Sequence, residues 1–148
     1  VTVADDYAHH PTELTVTLKA AKEMDYKRVW AVFQPFTYSR TVQHLEEFRD
    51  ALQIADIAVL TDIMGSREKN TYGIYTRNLA EIMNNAVYFP EDETAVYTDE
   101  RKYQNFADVC DYVVKNVQEG DLVLTMGCGD INKVAGMILK RLEGETSK

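Results

Sequence analysis

Four short stretches concentrate the side chains of this 148-residue chain that could do chemistry. The first reads Asp5-Asp6-Tyr7-Ala8-His9-His10-Pro11-Thr12-Glu13. Its paired carboxylates can accept hydrogen bonds from ribose hydroxyls or from the waters of a bound cation. An imidazole can hold an anion when protonated or shuttle a proton when neutral. The same residues also suit a local role, with an Asp capping the turn and one His satisfied within it. Adjacent histidines cannot easily share a metal, and no Cys-x-x-Cys or His-x-x-x-His spacing accompanies them, so no metal ligands are expected.

The second stretch, Phe33-Gln34-Pro35-Phe36-Thr37-Tyr38-Ser39-Arg40-Thr41, follows an apolar run and opens a helix, with Ser39 or Thr41 as the expected N-cap. A cation beside a helix N-terminus is mildly unfavourable, so Arg40 makes better sense facing an anionic ligand than as a free surface charge. The third, Thr61-Asp62-Ile63-Met64-Gly65-Ser66-Arg67-Glu68, joins an Asp to an Arg-Glu pair that fits either a site or a surface loop with a local ion pair.

The fourth, Met126-Gly127-Cys128-Gly129-Asp130-Ile131-Asn132-Lys133-Val134, looks like a phosphate loop but is not one. Asn132 replaces the second Gly of a Walker A motif and Val134 its Ser/Thr, and the dinucleotide fingerprint lacks its third Gly. The favoured reading is a tight turn, with Asp130 placed to cap the next helix and Cys128 a small filler. These residues supply no Ser-His-Asp order, Walker A loop or metal cage.

The elements that must position these stretches follow from hydrophobic periodicity. Strands are expected at 1–4, 28–33, 57–60, 86–89 and 121–126, and helices at 12–24, 41–54, 77–84, 103–117 and 130–142. Residues 64–75 read as a long loop, and the acidic stretch 91–101 as irregular. Strands alternating with helices predict an α/β domain: a Rossmann-like, mostly parallel sheet with helices on both faces. In such sheets ligands bind beyond the carboxyl ends of the strands, which is where all four stretches fall. One domain is expected over 1–142, with a polar tail at 143–148.

Composition narrows the function classes. Sixteen Lys and Arg against 24 Asp and Glu give a formal charge of −8. That argues against general nucleic-acid binding, which requires a basic face. No run of 18 apolar residues could span a membrane, and the N-terminus has no signal-peptide pattern. Two distant cysteines, Cys110 and Cys128, suit a reduced cytoplasmic setting. The chain also begins inside a strand, so it reads as a fragment of a longer protein.

Together, in this order and spacing, the four stretches closely resemble the C-terminal domain of the Mur ligases over about residues 2–140. The set comprises Asp5–Glu13, Val32-Phe33-Gln34-Pro35 with Tyr38-Ser39-Arg40-Thr41, Leu60-Thr61-Asp62-Ile63 with Arg67-Glu68, and 120–127 with Gly129-Asp130-Ile131. The resemblance, nearest to the L-alanine-adding branch, implies one domain of a three-domain cytoplasmic enzyme of peptidoglycan synthesis. Such an enzyme would join L-alanine to UDP-N-acetylmuramate through an acyl phosphate made with ATP. Its central domain would bind Mg2+ and most of the ATP, and this chain alone would be inactive. Its further partners would be the N-terminal and central domains of the same enzyme, with no nucleic acid and no membrane.

Carried over by position, Asp6 would accept from the nucleotide ribose. Tyr7 and His9 would line the junction of amino acid and phosphate, with His9 catalytic. Arg40, also catalytic, would hold the amino-acid carboxylate. The family often has His-Arg where this chain has Phe36-Thr37, which leaves more of the carboxylate binding to Arg40. Two other readings compete: a related murein tripeptide ligase that recycles peptide onto the same sugar nucleotide, and a nucleotide-binding module without chemistry. The Gly-Asp-Ile at 129–131 favours the L-alanine-adding branch over the tripeptide ligase, and the start inside a strand argues for an excised domain over a stand-alone module.

Overall fold

A computed structural model describes residues 1–90 and 98–146. Its five strands are β1 (Thr2–Asp6), β2 (Val29–Phe33), β3 (Ile57–Thr61), β4 (Ala86–Phe89) and β5 (Leu122–Met126). They form one sheet in the order β1-β5-β2-β3-β4, and every pairing is parallel. The helices are α1 (Pro11–Glu23), α2 (Tyr38–Gln43), α3 (Leu45–Leu52), α4 (Thr76–Glu81), α5 (Asp99–Asn116) and α6 (Asn132–Thr146).

β2 and β5 are continuous apolar runs because they lie inside the sheet with both faces covered. The strand period of two then sorts their side chains. Val29, Ala31 and Phe33 face a core built with Leu14 and Leu18 of α1, Phe48 and Leu52 of α3 and Leu79 of α4. Trp30 and Val32 face the opposite core, with Phe106, Val109 and Val113 of α5 and Val134 and Ile138 of α6. The expected α/β fold with helices on both faces is the one observed.

Boundaries differ where local chemistry outweighs periodicity. The single helix expected at 41–54 is two. α2 starts at Tyr38, capped by Thr37 rather than by Ser39 or Thr41, and His44 (φ −119°, ψ 25°) separates it from α3. The break lets α2 follow the ligand edge while α3 turns Phe48, Ala51 and Leu52 into the core. α5 begins at Asp99, where Thr98 accepts a hydrogen bond from the Arg101 N–H and two acidic residues occupy the first turn. The expectation of irregular structure at 91–101 otherwise falls on 91–97, outside the described residues. α6 continues to Thr146, past the boundary expected at 142.

The amino ends of the strands are fastened by an ion pair between a half-buried Arg28 and a buried Asp121. Arg28 Nη2 donates to Asp121 Oδ2 at 2.7 Å and Trp30 Nε1 donates to the same oxygen at 3.0 Å. The Gln118 N–H adds a third bond at 2.9 Å. Burial alone would raise the Asp121 pKa, but these bonds and the Arg28 charge outweigh it and hold the carboxyl below its ordinary range. Structural fastening therefore occupies one edge of the sheet and the candidate chemistry the other.

Candidate functional site

The connections leave neighbouring strands in opposite directions between β2 and β5. The chain after β2 leads through α2 to α3 on one face, and the chain after β5 leads to α6 on the other. This is the topological switch point, where a parallel sheet opens a crevice beyond its carboxyl ends. The Gln34 N–H donates to the Met126 carbonyl at 3.2 Å and holds the two diverging loops together.

The turn after β5 is tight. Gly127 has φ +142°, and a Cβ there would meet the Gln34 backbone oxygen at 3.1 Å, so only glycine fits without strain. A Cβ on Gly129 would meet Gln34 Oε1 and Met64 Sδ, each at 2.6 Å. These close approaches make the turn tight, packed against the β2 and β3 loops. Burial pushes the Cys128 thiol pKa up despite the Arg40 charge nearby, so Cys128 is not a ready nucleophile.

Asp130 does something other than the expected capping. Its carboxylate accepts from Lys102 Nζ at 2.9 Å and ties the β5–α6 turn to α5. That bond lowers the Asp130 pKa and raises that of Lys102. Asp62, at the end of β3, is likewise absorbed by α5. It accepts from Arg101 Nε at 2.5 Å and from Asn105 Nδ2 at 3.0 Å, and it is almost fully buried. Glu68 pairs with Ser39 rather than with its neighbour Arg67. Its carboxylate accepts from both the hydroxyl and the N–H of Ser39, and these bonds lower its pKa.

The segment after β1 combines local structure with open functional atoms. Asp6 Oδ1 accepts from the Ala8 N–H at 2.7 Å and Oδ2 from the Thr17 hydroxyl at 3.2 Å. A carboxylate has about four acceptor positions, so two bonds leave room for ligand hydroxyls. Asp6 and Tyr7 line a cleft of about 380 Å³ completed by Ala8, Thr12, Glu13, Val16 and Thr17. Tyr7 is 69% exposed above it.

The two adjacent histidines have different jobs. His10 is the N-cap of α1: its Nδ1 accepts from the Thr12 N–H at 3.2 Å, while the Glu13 carboxylate accepts from the His10 N–H at 3.1 Å. The bond from the His10 N–H is the main reason the Glu13 pKa is lowered. His9 Nδ1 lies 3.1 Å from the Tyr7 carbonyl. A carbonyl only accepts, so this contact requires a proton on Nδ1 and leaves Nε2 facing away from it.

Arg40 stands in the middle of α2. Its guanidinium lies 5.9 Å from the Phe36 ring centroid. Nη1 is buried and has no hydrogen-bond partner among the described residues. A buried donor left open costs free energy, and an anionic ligand would satisfy it.

Sequence reasoning missed the two acid–base ties to α5, because their partners lie 28 and 39 residues apart. It also missed His44, whose ring packs edge-on to His10 at 5.1 Å and brings all three histidines of the chain to this edge. Among the described residues, no helix is long and apolar enough to cross a membrane.

Five parallel strands with helices on both faces, whose end loops carry a guanidinium with an unpaired Nη1 and, separately, a cleft lined by Asp6, place this chain in the α/β class. Residues 1–129 match the family model described as Mur ligase, glutamate ligase domain, and the chain belongs to the Mur ligase family.

A UDP-N-acetylmuramate–L-alanine ligase of Acetivibrio thermocellus is 43% identical over 144 residues, 95% of this chain and 28% of the relative. One from Lachnospira eligens is 46% identical over 140 residues, with the same coverages. The chain thus spans a little over a quarter of the length of the curated relatives it matches. Among solved structures, the UDP-N-acetylmuramate–alanine ligase of Thermotoga maritima aligns with a TM-score of 0.63 at 23% identity, covering 97% of this chain and 27% of that one. A murein peptide ligase of Psychrobacter arcticus aligns at 0.66 and 20%, covering 95% and 27%. These two likenesses establish the shared fold.

Proposed function

We propose that this chain is the C-terminal domain of a three-domain cytoplasmic ligase that joins L-alanine to UDP-N-acetylmuramate, using ATP and Mg2+, in peptidoglycan synthesis. Identities of 43% and 46% to ligases named for that reaction support the substrate pair. The observation that carries the site is Arg40, in the helix that follows β2, whose Nη1 is buried without a hydrogen-bond partner among the described residues. A guanidinium grips a carboxylate through two parallel N–H donors, which suits the carboxylate of an incoming amino acid.

ATP supplies a phosphate that turns the sugar-nucleotide carboxylate into an acyl phosphate. The residues of this chain suit its ribose end: Asp6 keeps acceptor capacity beside an open cleft, whereas the Gly127–Gly129 turn lacks the Walker A residues and packs tightly against Gln34 and Met64. The phosphates and Mg2+ are therefore assigned to the central domain of the whole enzyme, and this chain alone is inactive. Arg40 holds the amino acid so that its nitrogen meets the acyl carbon. The C–N bond forms as the C–O bond to phosphate breaks, and phosphate leaves with the electron pair. His9 Nε2 takes the proton that the nitrogen sheds. Tyr7 covers the junction, and closure of the domain excludes the water that would hydrolyse the acyl phosphate.

The test is phosphate release by the full-length enzyme supplied with ATP, Mg2+ and UDP-N-acetylmuramate. L-Alanine and L-Ala-γ-D-Glu-meso-diaminopimelate are added in separate reactions. Release driven by L-alanine is expected. Release driven by the tripeptide alone would transfer the reading to the recycling ligase, and none with either, from folded enzyme, would leave a binding module.

A further inference from the structure

The β2–α2 turn holds a residue in a conformation its type resists. Thr37 has φ 64° and ψ 145°. A β-branched side chain disfavours positive φ, and this corner of the map is populated almost solely by glycine. Only one other non-glycine among the described residues, Ser66, has positive φ, and it sits in the facing loop after β3.

Such strain persists only where the surroundings over-determine it. Here they do so from both sides. The Thr37 N–H donates to the Met64 carbonyl at 2.8 Å, and the Met64 N–H donates to the Pro35 carbonyl at 2.9 Å, which fastens the turn to the β3 loop. On the helix side, the Thr37 carbonyl accepts from the Thr41 hydroxyl at 2.8 Å, and Thr41 is fully buried. The Thr37 hydroxyl accepts from the Arg40 N–H at 3.4 Å. The strained residue therefore grips the backbone of the residue whose guanidinium is left open three positions on.

We propose that Thr37 is the positioning residue for Arg40: its left-handed backbone and its hydroxyl cap hold the guanidinium against Phe36 with Nη1 unpaired, in the place where it meets the carboxylate of the amino acid. Relaxing the turn would let the first turn of α2 rotate and the guanidinium leave that place. This rests on the reading of Arg40 as the carboxylate receptor. In this role Thr37 acts through Arg40, so its effect falls on amino-acid binding and not on the nucleotide.

The experiment compares the Michaelis constants of full-length wild-type, Thr37→Gly, Thr37→Ser and Arg40→Lys enzymes, together with their thermal unfolding midpoints. Thr37→Gly is expected to raise KM for L-alanine about tenfold while leaving KM for ATP within about twofold, since a small misplacement of a binding group is costly. Its midpoint should be unchanged or higher, because glycine relieves the strain. Thr37→Ser keeps the hydroxyl and should stay near wild type. Wild-type KM for L-alanine in Thr37→Gly, with a raised KM in Arg40→Lys, would overturn the positioning role and leave the Arg40 reading standing. An unchanged KM in Arg40→Lys would sink the Arg40 reading itself. A lower midpoint with both constants raised alike in Thr37→Gly would make Thr37 merely structural.

Discussion

Asp6 shows how a side chain can be spoken for and still be available. One oxygen closes the turn to the Ala8 N–H and the other anchors the Thr17 hydroxyl of α1, so the carboxylate is held in one orientation at the cleft. Orientation fixed in advance lowers the entropy lost on binding a ribose diol. Asp6→Asn in the full-length enzyme keeps the shape but replaces one acceptor oxygen with a donor. Nucleotide affinity should fall by about tenfold, as expected for one lost hydrogen bond to a charged group; titration calorimetry with ATP measures it, and unchanged affinity would remove Asp6 from the ribose assignment. At this scale the sequence was legible for residue types and less so for their use. Asp6, Tyr7, His9 and Arg40 all lie at the carboxyl ends of β1 and β2, where the sequence placed them. Thr37 could not be read, because threonine gives no signal for positive φ. Asp130 was read as a cap because capping is the local option, and a lysine 28 residues away took it instead.

At the scale of elements, β2 and β5 were plain because burial on both faces leaves only apolar residues. α5 was read four residues short, since the helix starts on polar residues whose apolar face appears only at Phe106. The kink at His44 stayed hidden because the apolar spacing of Leu45, Phe48 and Leu52 runs on regardless of the turn before it. The elements are fastened at their amino ends by Asp121, which is 1% exposed. Its lowered pKa makes its contribution to stability fully present above the ordinary carboxyl value and lost as pH falls through the folded one. Asp121→Asn should destabilise the chain by roughly 2 kcal/mol near neutral pH, since it removes the charged acceptor shared by Arg28, the Trp30 N–H and the Gln118 N–H. The gap between variant and wild type should narrow below about pH 4. Urea unfolding across pH 3–7 checks this, and a gap that stays constant would show that the carboxylate charge is not what fastens the edge.

For the molecule as a whole, β1 has one neighbour in the sheet where β2, β3 and β5 have two. Its five residues are exposed or half-buried, whereas those of β5 are all buried. The strand that delivers Asp6, Tyr7 and His9 is therefore the one whose detachment disturbs the cores least. Amide protons of β1 should exchange with deuterated water through brief local openings, well before those of β2 and β5, which await unfolding of the entire sheet. On the proposed roles, a nucleotide at Asp6 engages this loose margin while the amino acid sits on Arg40 nearer the centre, so nucleotide binding should slow deuterium uptake in β1 selectively. Equal uptake rates in β1 and β5 would contradict this, and a selective slowing would mean that part of the affinity is spent on closing a seam the fold leaves unfastened.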